Sequence, residues 1–219
     1  MLLSSSQKAM TSTSKPNKRY LFYVTLSYSF SILRPIEAEI KKQGGEVAWF
    51  IPQDAEAESF LLPEDMRLND VKAVKKFDSG AVLAPGNYIP DFFPGIKVQV
   101  FHGFDSGKKN KFNIRGFFDL YCTQGPNITQ AFNDINDGSC EVVETGWSKV
   151  DPLFNNDSNE LARINSKPTV LISSTFTTKY SLANIPEVYQ EIKRLSLIGK
   201  WQFLIILHPK MDPIIVEKF

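Results

Sequence analysis

Residues 19–51, RYLFYVTLSYSFSILRPIEAEIKKQGGEVAWFI, decide the fold. The run Tyr20 to Leu26 (YLFYVTL) is β-branched and aromatic, the composition of a buried strand. Ser27 to Ser31 is a polar loop, and Pro35 suits the first turn of a helix, where its missing N–H has no partner to lose. Leu33, Ile36 and Ile40 fall on one face of that helix. Gly44 and Gly45 then end it in the C-cap manner, and Glu46 to Ile51 (EVAWFI) resumes as a second strand. A strand, a helix and a strand in this order predict a parallel pair joined by a helical crossover.

The same alternation continues outward. Beyond a charged, helix-compatible stretch to Phe77, Gly80 to Ala84 and Val98 to Phe101 read as strands separated by a loop holding Pro85, Pro90 and Pro94. Asp119 to Thr123, a helix from Asn127 to Ile135, and Cys140 to Glu144 complete a Rossmann-like layer. The texture changes at Gly146 to Asn159, rich in Asn, Asp and Pro, which reads as an interdomain linker. Pro168 to Ser173, a helix from Glu187 to Leu195, and Trp201 to Leu207 then open a second unit. The expected organisation is α/β: a flexible leader over 1–18, a Rossmann-like domain over 19–146, a linker over 147–166, and the beginning of a second domain over 167–219. Two strands and one helix leave most of their apolar sheet surface uncovered, so association or poor solubility is expected of residues 165–219.

Composition narrows the function. The formal charge is +1, so no broad electrostatic footprint for nucleic acid is present. The 17 Phe predict much buried aromatic surface. Leu2 and Leu3 are the sole apolar run of the N-terminus, far short of a signal peptide or a membrane span, and a cytoplasmic location follows as the expectation. Lys8, Lys15, Lys18 and Arg19 could still lean on an anionic membrane surface. Cys122 and Cys140 lie in strand-like stretches and read as buried thiols, although one bridge stays open. With only His102 and His208 beside them, no zinc-site spacing exists, and neither a metal nor a cofactor is called for.

Those two histidines are the chief candidates for chemistry. His102 follows the VQVF run and precedes Gly103; His208 follows FLIIL and precedes Pro209. Ligands of open α/β sheets bind outside the carboxyl ends of the strands, where both histidines fall. A histidine at a strand end also serves simply as a solvated or hydrogen-bonded packing residue. Gly103, Gly107, Gly116, Gly125 and Gly146 stand near strand ends, where glycine lets backbone N–H groups approach phosphate, but plain turn duty explains them as well. Ser173, Ser174, Thr175, Thr177 and Thr178 offer hydroxyls to an anion or to a helix N-cap. Lys108, Lys109, Lys111 and Arg115 form a basic patch beyond His102, suited to a phosphorylated acceptor or to bare solvent.

Four blocks, VQVFHGFDSGKKNKFNIRGFFDLYCTQGPNITQAF, VVETGWSKVDPLF, KPTVLISSTFT and FLIILHPKMDP, resemble in order and spacing the CDP-glycerol glycerophosphotransferase family of teichoic acid biosynthesis. The resemblance covers roughly residues 80–219 and implies a GT-B fold, with transfer of glycerol phosphate, or a related polyol phosphate, from a CDP-glycerol or CDP-polyol donor. The implied acceptor is a membrane-linked polyol phosphate or glycan, reached by peripheral association with the inner face of the membrane; nucleic acid is not an implied partner. Carried over by position, His102 matches the general base with Gly103 near phosphate, and His208 matches the donor-phosphate contact. Ser174 and Thr175 stand where the family has Pro-Thr, so Thr175 is the better match. Family members continue past the HP motif, so the resemblance implies a fragment or a truncated gene product lacking most of its nucleotide pocket. Two other readings stay open: another GT-B nucleotide-sugar enzyme, a glycosyltransferase or an epimerase, and a non-catalytic domain.

Overall fold

The computed structural model describes residues 18–52, 55–103, 112–155, 167–208 and 210–219. The chain divides into two compact units, Met1–Asn155 and Asn156–Phe219. In the first, β1 (Arg19–Tyr23), α1 (Ser29–Lys42), β2 (Glu46–Phe50), α2 (Ala55–Glu58), β3 (Met66–Arg67) and α3 (Val71–Phe77) come in that order. They are followed by β4 (Ala81–Ala84), β5 (Ile96–Gln99), β6 (Leu120–Thr123), α4 (Pro126–Asn133), β7 (Glu141–Glu144), a 3-10 turn over Ser148–Val150 and α5 (Asp151–Asn155). The seven strands form one sheet in the order β3-β2-β1-β4-β5-β6-β7, and every neighbouring pair runs parallel. The unit is thus a Rossmann-like α/β layer, as the alternation of sequence patterns requires.

Burial on both faces explains the near-continuous apolar strands. One face packs Leu21, Tyr23, Phe50, Val82, Phe93, Phe118, Tyr121 and Phe132, many of them aromatic. The opposite face packs Phe22, Phe30, Leu33, Trp49, Leu83, Val98 and Val100. Trp49 is fully buried, with Phe30 stacked on it and Phe22 edge-on, both at 4.9 Å between ring centres. Such pairs add about 0.5–1.5 kcal/mol beyond the area that they bury. This is where the surplus of phenylalanine goes.

Several boundaries differ from the sequence reading. The first helix begins at Ser29, which places Pro35 in its second turn rather than its first. Phe30, Ile32 and Leu33 are all buried, and this packing outweighs the one backbone hydrogen bond that proline removes. The strand read at Val98 to Phe101 lies at Ile96–Gln99, because Phe101 turns to φ 50° and ends the ladder. The stretch before Phe77 holds α2, β3 and α3; β3 is two exposed residues, too short for any periodicity to show. Ser148–Val150 and α5 are helical turns within the stretch read as linker, whose remainder, 156–166, lies outside the described residues, as do residues 1–17 of the leader.

The second unit contains β8 (Thr169–Ser174), a 3-10 turn over Leu182–Asn184, α6 (Pro186–Ile198), β9 (Gln202–Leu207) and α7 (Pro213–Val216). β8 and β9 pair in parallel, with Leu171 opposite Leu204 and Ser174 opposite Leu207. Leu171, Leu204 and Ile206 project from one face of this two-stranded sheet and are exposed. Among the described residues, no helix is long and apolar enough to cross a membrane.

Candidate functional site

The strand order of the first unit reverses between β1 and β4, since the chain leaves β1 toward β2 and leaves β4 toward β5. Such a switch point opens a crevice at the carboxyl ends of the strands. Four segments converge around it: the β1–α1 turn, the Pro85 turn after β4, Phe101 to Gly103 after β5, and Gln124 to Gly125 after β6.

His102 is half-buried in this group, with its ring stacked on Tyr28 at 5.3 Å and its Nδ1 2.9 Å from the Pro85 carbonyl. A carbonyl oxygen only accepts, so Nδ1 carries the proton and Nε2 of the neutral ring keeps its lone pair. That is the form of an imidazole able to take a proton. Burial pushes the Tyr28 phenol above its ordinary value, which keeps it neutral beside the ring. The Pro85 carbonyl also accepts from Gln99 Nε2 at 3.2 Å, and the Gly103 carbonyl accepts from Gln124 Nε2 at 2.8 Å. Among the described residues, no atom stands within 4 Å of the position that a Gly103 side chain would take. Beside this group, Thr123 and Thr129 share a hydrogen bond of 2.6 Å, and Thr129 Oγ1 donates toward Glu144 at 3.2 Å.

In the second unit Ser174, Thr175 and His208 come together at the carboxyl ends of β8 and β9, where the His208 N–H donates to the Ser174 carbonyl at 3.3 Å. His208 Nδ1 accepts from the Lys210 backbone N–H at 3.0 Å, and its ring lies 4.5 Å from Phe176. Because an amide N–H only donates, the neutral His208 ring carries its proton on Nε2. The two histidines therefore offer opposite chemistry, a lone pair at His102 and a donor at His208. The Ser174 hydroxyl is already engaged: it is buried, 2.8 Å from Ser181 Oγ, and accepts from the Ala183 N–H at 3.2 Å. It holds the Leu182–Asn184 turn, whereas Thr175 is exposed.

Gly107, Lys108, Lys109, Lys111 and Pro209 lie outside the described residues. Arg115 is tied locally, its backbone N–H donating to the Tyr121 hydroxyl at 2.8 Å and its carbonyl accepting from it at 3.0 Å. Among the described residues no group of three His, Cys, Asp or Glu could hold a metal ion. Sequence reasoning missed Tyr28, Gln99 and Gln124. Gln99 left a signal, a lone amide inside the apolar run VQVF.

These features define a GT-B-like α/β protein, with a complete Rossmann-like sheet and a second, smaller strand–helix–strand unit. The chain is similar to a solved structure assigned as a UDP-N-acetylglucosamine 2-epimerase from Listeria monocytogenes, with TM-score 0.62 and 12% identity over 92% of this chain and 65% of that one. It is also similar to S. aureus MnaA in complex with UDP, with TM-score 0.58 and 16% identity over 91% of this chain and 64% of that one. The chain thus spans less than two thirds of the length of either. No family model matches, and no curated protein matches by sequence.

These findings correct the motif resemblance. One similar structure is assigned as a UDP-N-acetylglucosamine 2-epimerase and the other holds UDP, and no family model supports a CDP-glycerol glycerophosphotransferase, so that assignment, its enzyme class and its teichoic acid setting are withdrawn. The physical reason lies in the blocks themselves. A histidine or glycine just beyond a parallel strand is what the fold asks of many enzymes, and short blocks of this kind mark strand ends rather than a substrate. The membrane-linked acceptor and the peripheral membrane position lose the same support.

Proposed function

We propose that this chain forms part of a nucleotide-sugar enzyme of the epimerase kind, acting on a UDP-sugar. The observation that carries the reading is the likeness over about nine tenths of the chain, across both units, to two structures of which one is a UDP-N-acetylglucosamine 2-epimerase by assignment and the other is bound to UDP. The site chemistry agrees with it. When a base takes the proton from C2 of a UDP-sugar, the electron pair left behind forms a C1–C2 double bond as the UDP oxygen departs from C1. Return of a proton to the other face of C2 and of UDP to C1 completes the inversion, which is general acid–base work. His102, with its Nε2 lone pair at the switch point, is the proposed base. Within the second unit the proposed phosphate contacts are His208, through its Nε2–H, and the exposed Thr175 hydroxyl. Ser174 acts indirectly, by holding the turn that follows Thr175.

The test is calorimetric titration of the chain with UDP, UDP-N-acetylglucosamine and CDP, followed by NMR observation of epimer formation. Binding of the uridine ligands, weakened about tenfold or more by His208→Ala, is the expected result. Equal or tighter binding of CDP, or no nucleotide binding by the folded chain, overturns the reading. Sugar transfer to an acceptor without epimer formation places the chain among GT-B glycosyltransferases instead.

A further inference from the structure

The backbone beside His102 is in a conformation that bulky residues avoid. Phe101 has φ 50°, in the left-handed region, and such strain persists only where the surroundings over-determine it. Its ring is wedged against Tyr121 and Phe132, at 6.0 and 5.3 Å between centres. Two glutamines brace the elbow that follows. Gln99, one residue before Val100 in the same chain segment, donates Nε2 to the Pro85 carbonyl, and Gln124 donates Nε2 to the Gly103 carbonyl. Pro85 is the residue whose carbonyl also fixes His102 Nδ1.

Both glutamines are buried, and among the described residues neither Oε1 atom has a hydrogen-bond partner. The orientation of each amide is nonetheless forced. Turning either over to use Oε1 elsewhere would set oxygen against the carbonyl oxygen that Nε2 now serves. A buried amide left half satisfied is unfavourable for folding, and it calls for a reason other than packing. Both amides make the same trade, and both spend their donor on carbonyls that flank His102.

We propose that Gln99 and Gln124 are positioning residues that hold the Phe101 to Gly103 elbow and keep His102 in the tautomer with a free Nε2 lone pair. The inference rests on the reading of His102 as the base, but it is measurable without any substrate. A role in packing alone and a role in positioning predict different responses to methionine, which matches glutamine in length and has no unfilled acceptor. Under the positioning role, Gln99→Met and Gln124→Met leave thermal stability unchanged or raised while they release the imidazole.

The experiment is ¹⁵N NMR of the imidazole nitrogens in the full chain, at a pH above the ordinary histidine range, with His102→Ala assigning the two histidines. The expected wild-type spectrum has protonated Nδ1 and unprotonated Nε2 at His102, and the reverse at His208. In either methionine variant the two His102 nitrogen shifts converge as the tautomers mix, while those of His208 stay fixed. Turnover of UDP-N-acetylglucosamine falls about tenfold in kcat with KM changed less than twofold. A wild-type His102 protonated on Nε2 overturns the proposal without any variant. So does a folded methionine variant whose His102 shifts are unaltered. Shifts that respond as expected in a chain that turns over no nucleotide sugar support the positioning role and overturn only the functional reading.

Discussion

Replacing Arg34 should release the helix that carries Tyr28 to the switch point, and the cost can be worked from its contacts. The guanidinium meets Asp65 through two bonds of 2.7 and 2.5 Å, Glu37 at 2.6 Å and the Phe60 carbonyl at 3.2 Å, and lies 4.5 Å from the centre of the Trp49 ring. The Asp65 side chain is 1% exposed and Glu37 6%, so Arg34→Met strands two buried carboxylates. Breaking a buried pair by removing one partner costs about 3–5 kcal/mol. Lys41, 2.8 Å from Glu37, retains one counter-charge, which favours the lower end, about 3 kcal/mol. Burial pushes the Asp65 carboxyl up, but the Arg34 guanidinium and the Leu62 N–H outweigh this and leave it below the ordinary value. A depressed carboxyl contributes stability above its unfolded pKa, about 3.9, that is lost as pH falls through the folded value. The advantage of the wild type over Asp65→Asn should therefore hold from neutral pH to about pH 5 and shrink below about pH 4. Urea unfolding followed by tryptophan fluorescence measures both effects. A loss under about 1 kcal/mol for Arg34→Met, or a gap to Asp65→Asn that widens in acid, would refute the reasoning.

Other outcomes follow from particular contacts. Gly95 has φ 92°, and a Cβ there would stand 2.4 Å from the Ser79 carbonyl oxygen, so Gly95→Ala should cost about 3 kcal/mol or more, read as a lowered urea midpoint. Ser174→Ala removes the acceptor of the Ala183 N–H and should destabilise the second unit by about 1–3 kcal/mol in hydrogen exchange, while a loss confined to nucleotide affinity would contradict its structural role. Burial raises the thiols of both Cys122 and Cys140, and Cys122 lies within the sheet, so alkylation should reach Cys140 first. The exposed Leu171, Leu204 and Ile206 should drive association that rises with concentration, and Leu204→Lys should lower the mass seen by light scattering.

The fold was legible because the inner strands β1, β2 and β4 are buried on both faces and so read as near-continuous apolar runs. Tyr20 to Leu26 and Glu46 to Ile51 announced themselves in this way, and the glycines at 44 and 45 marked where the helix between them stops. β3 was not legible, since two exposed residues joined to Ala48 and Trp49 carry no pattern of their own. The helix start at Ser29 was hidden for the opposite reason: Phe30 is placed by Trp49, a residue far along the chain, and local polarity could not report it.

The site divides along the same line. That His102 ends a strand is a local fact, and the sequence carries it. Which of its nitrogens holds the proton depends on the Pro85 carbonyl, 17 residues away, and on a parallel pairing of β4 with β5 that sets Ala84 beside Gln99. The same pairing brings Gln99 to that carbonyl, so an amide that reads as a flaw in an apolar strand shares the acceptor that His102 uses. Short motifs are blind to this, because they record the histidine and not the partner that decides its chemistry. Fold does not fix substrate, which is why four well-ordered blocks led toward a family that the comparisons do not support while the alternation of strands and helices led to the right fold.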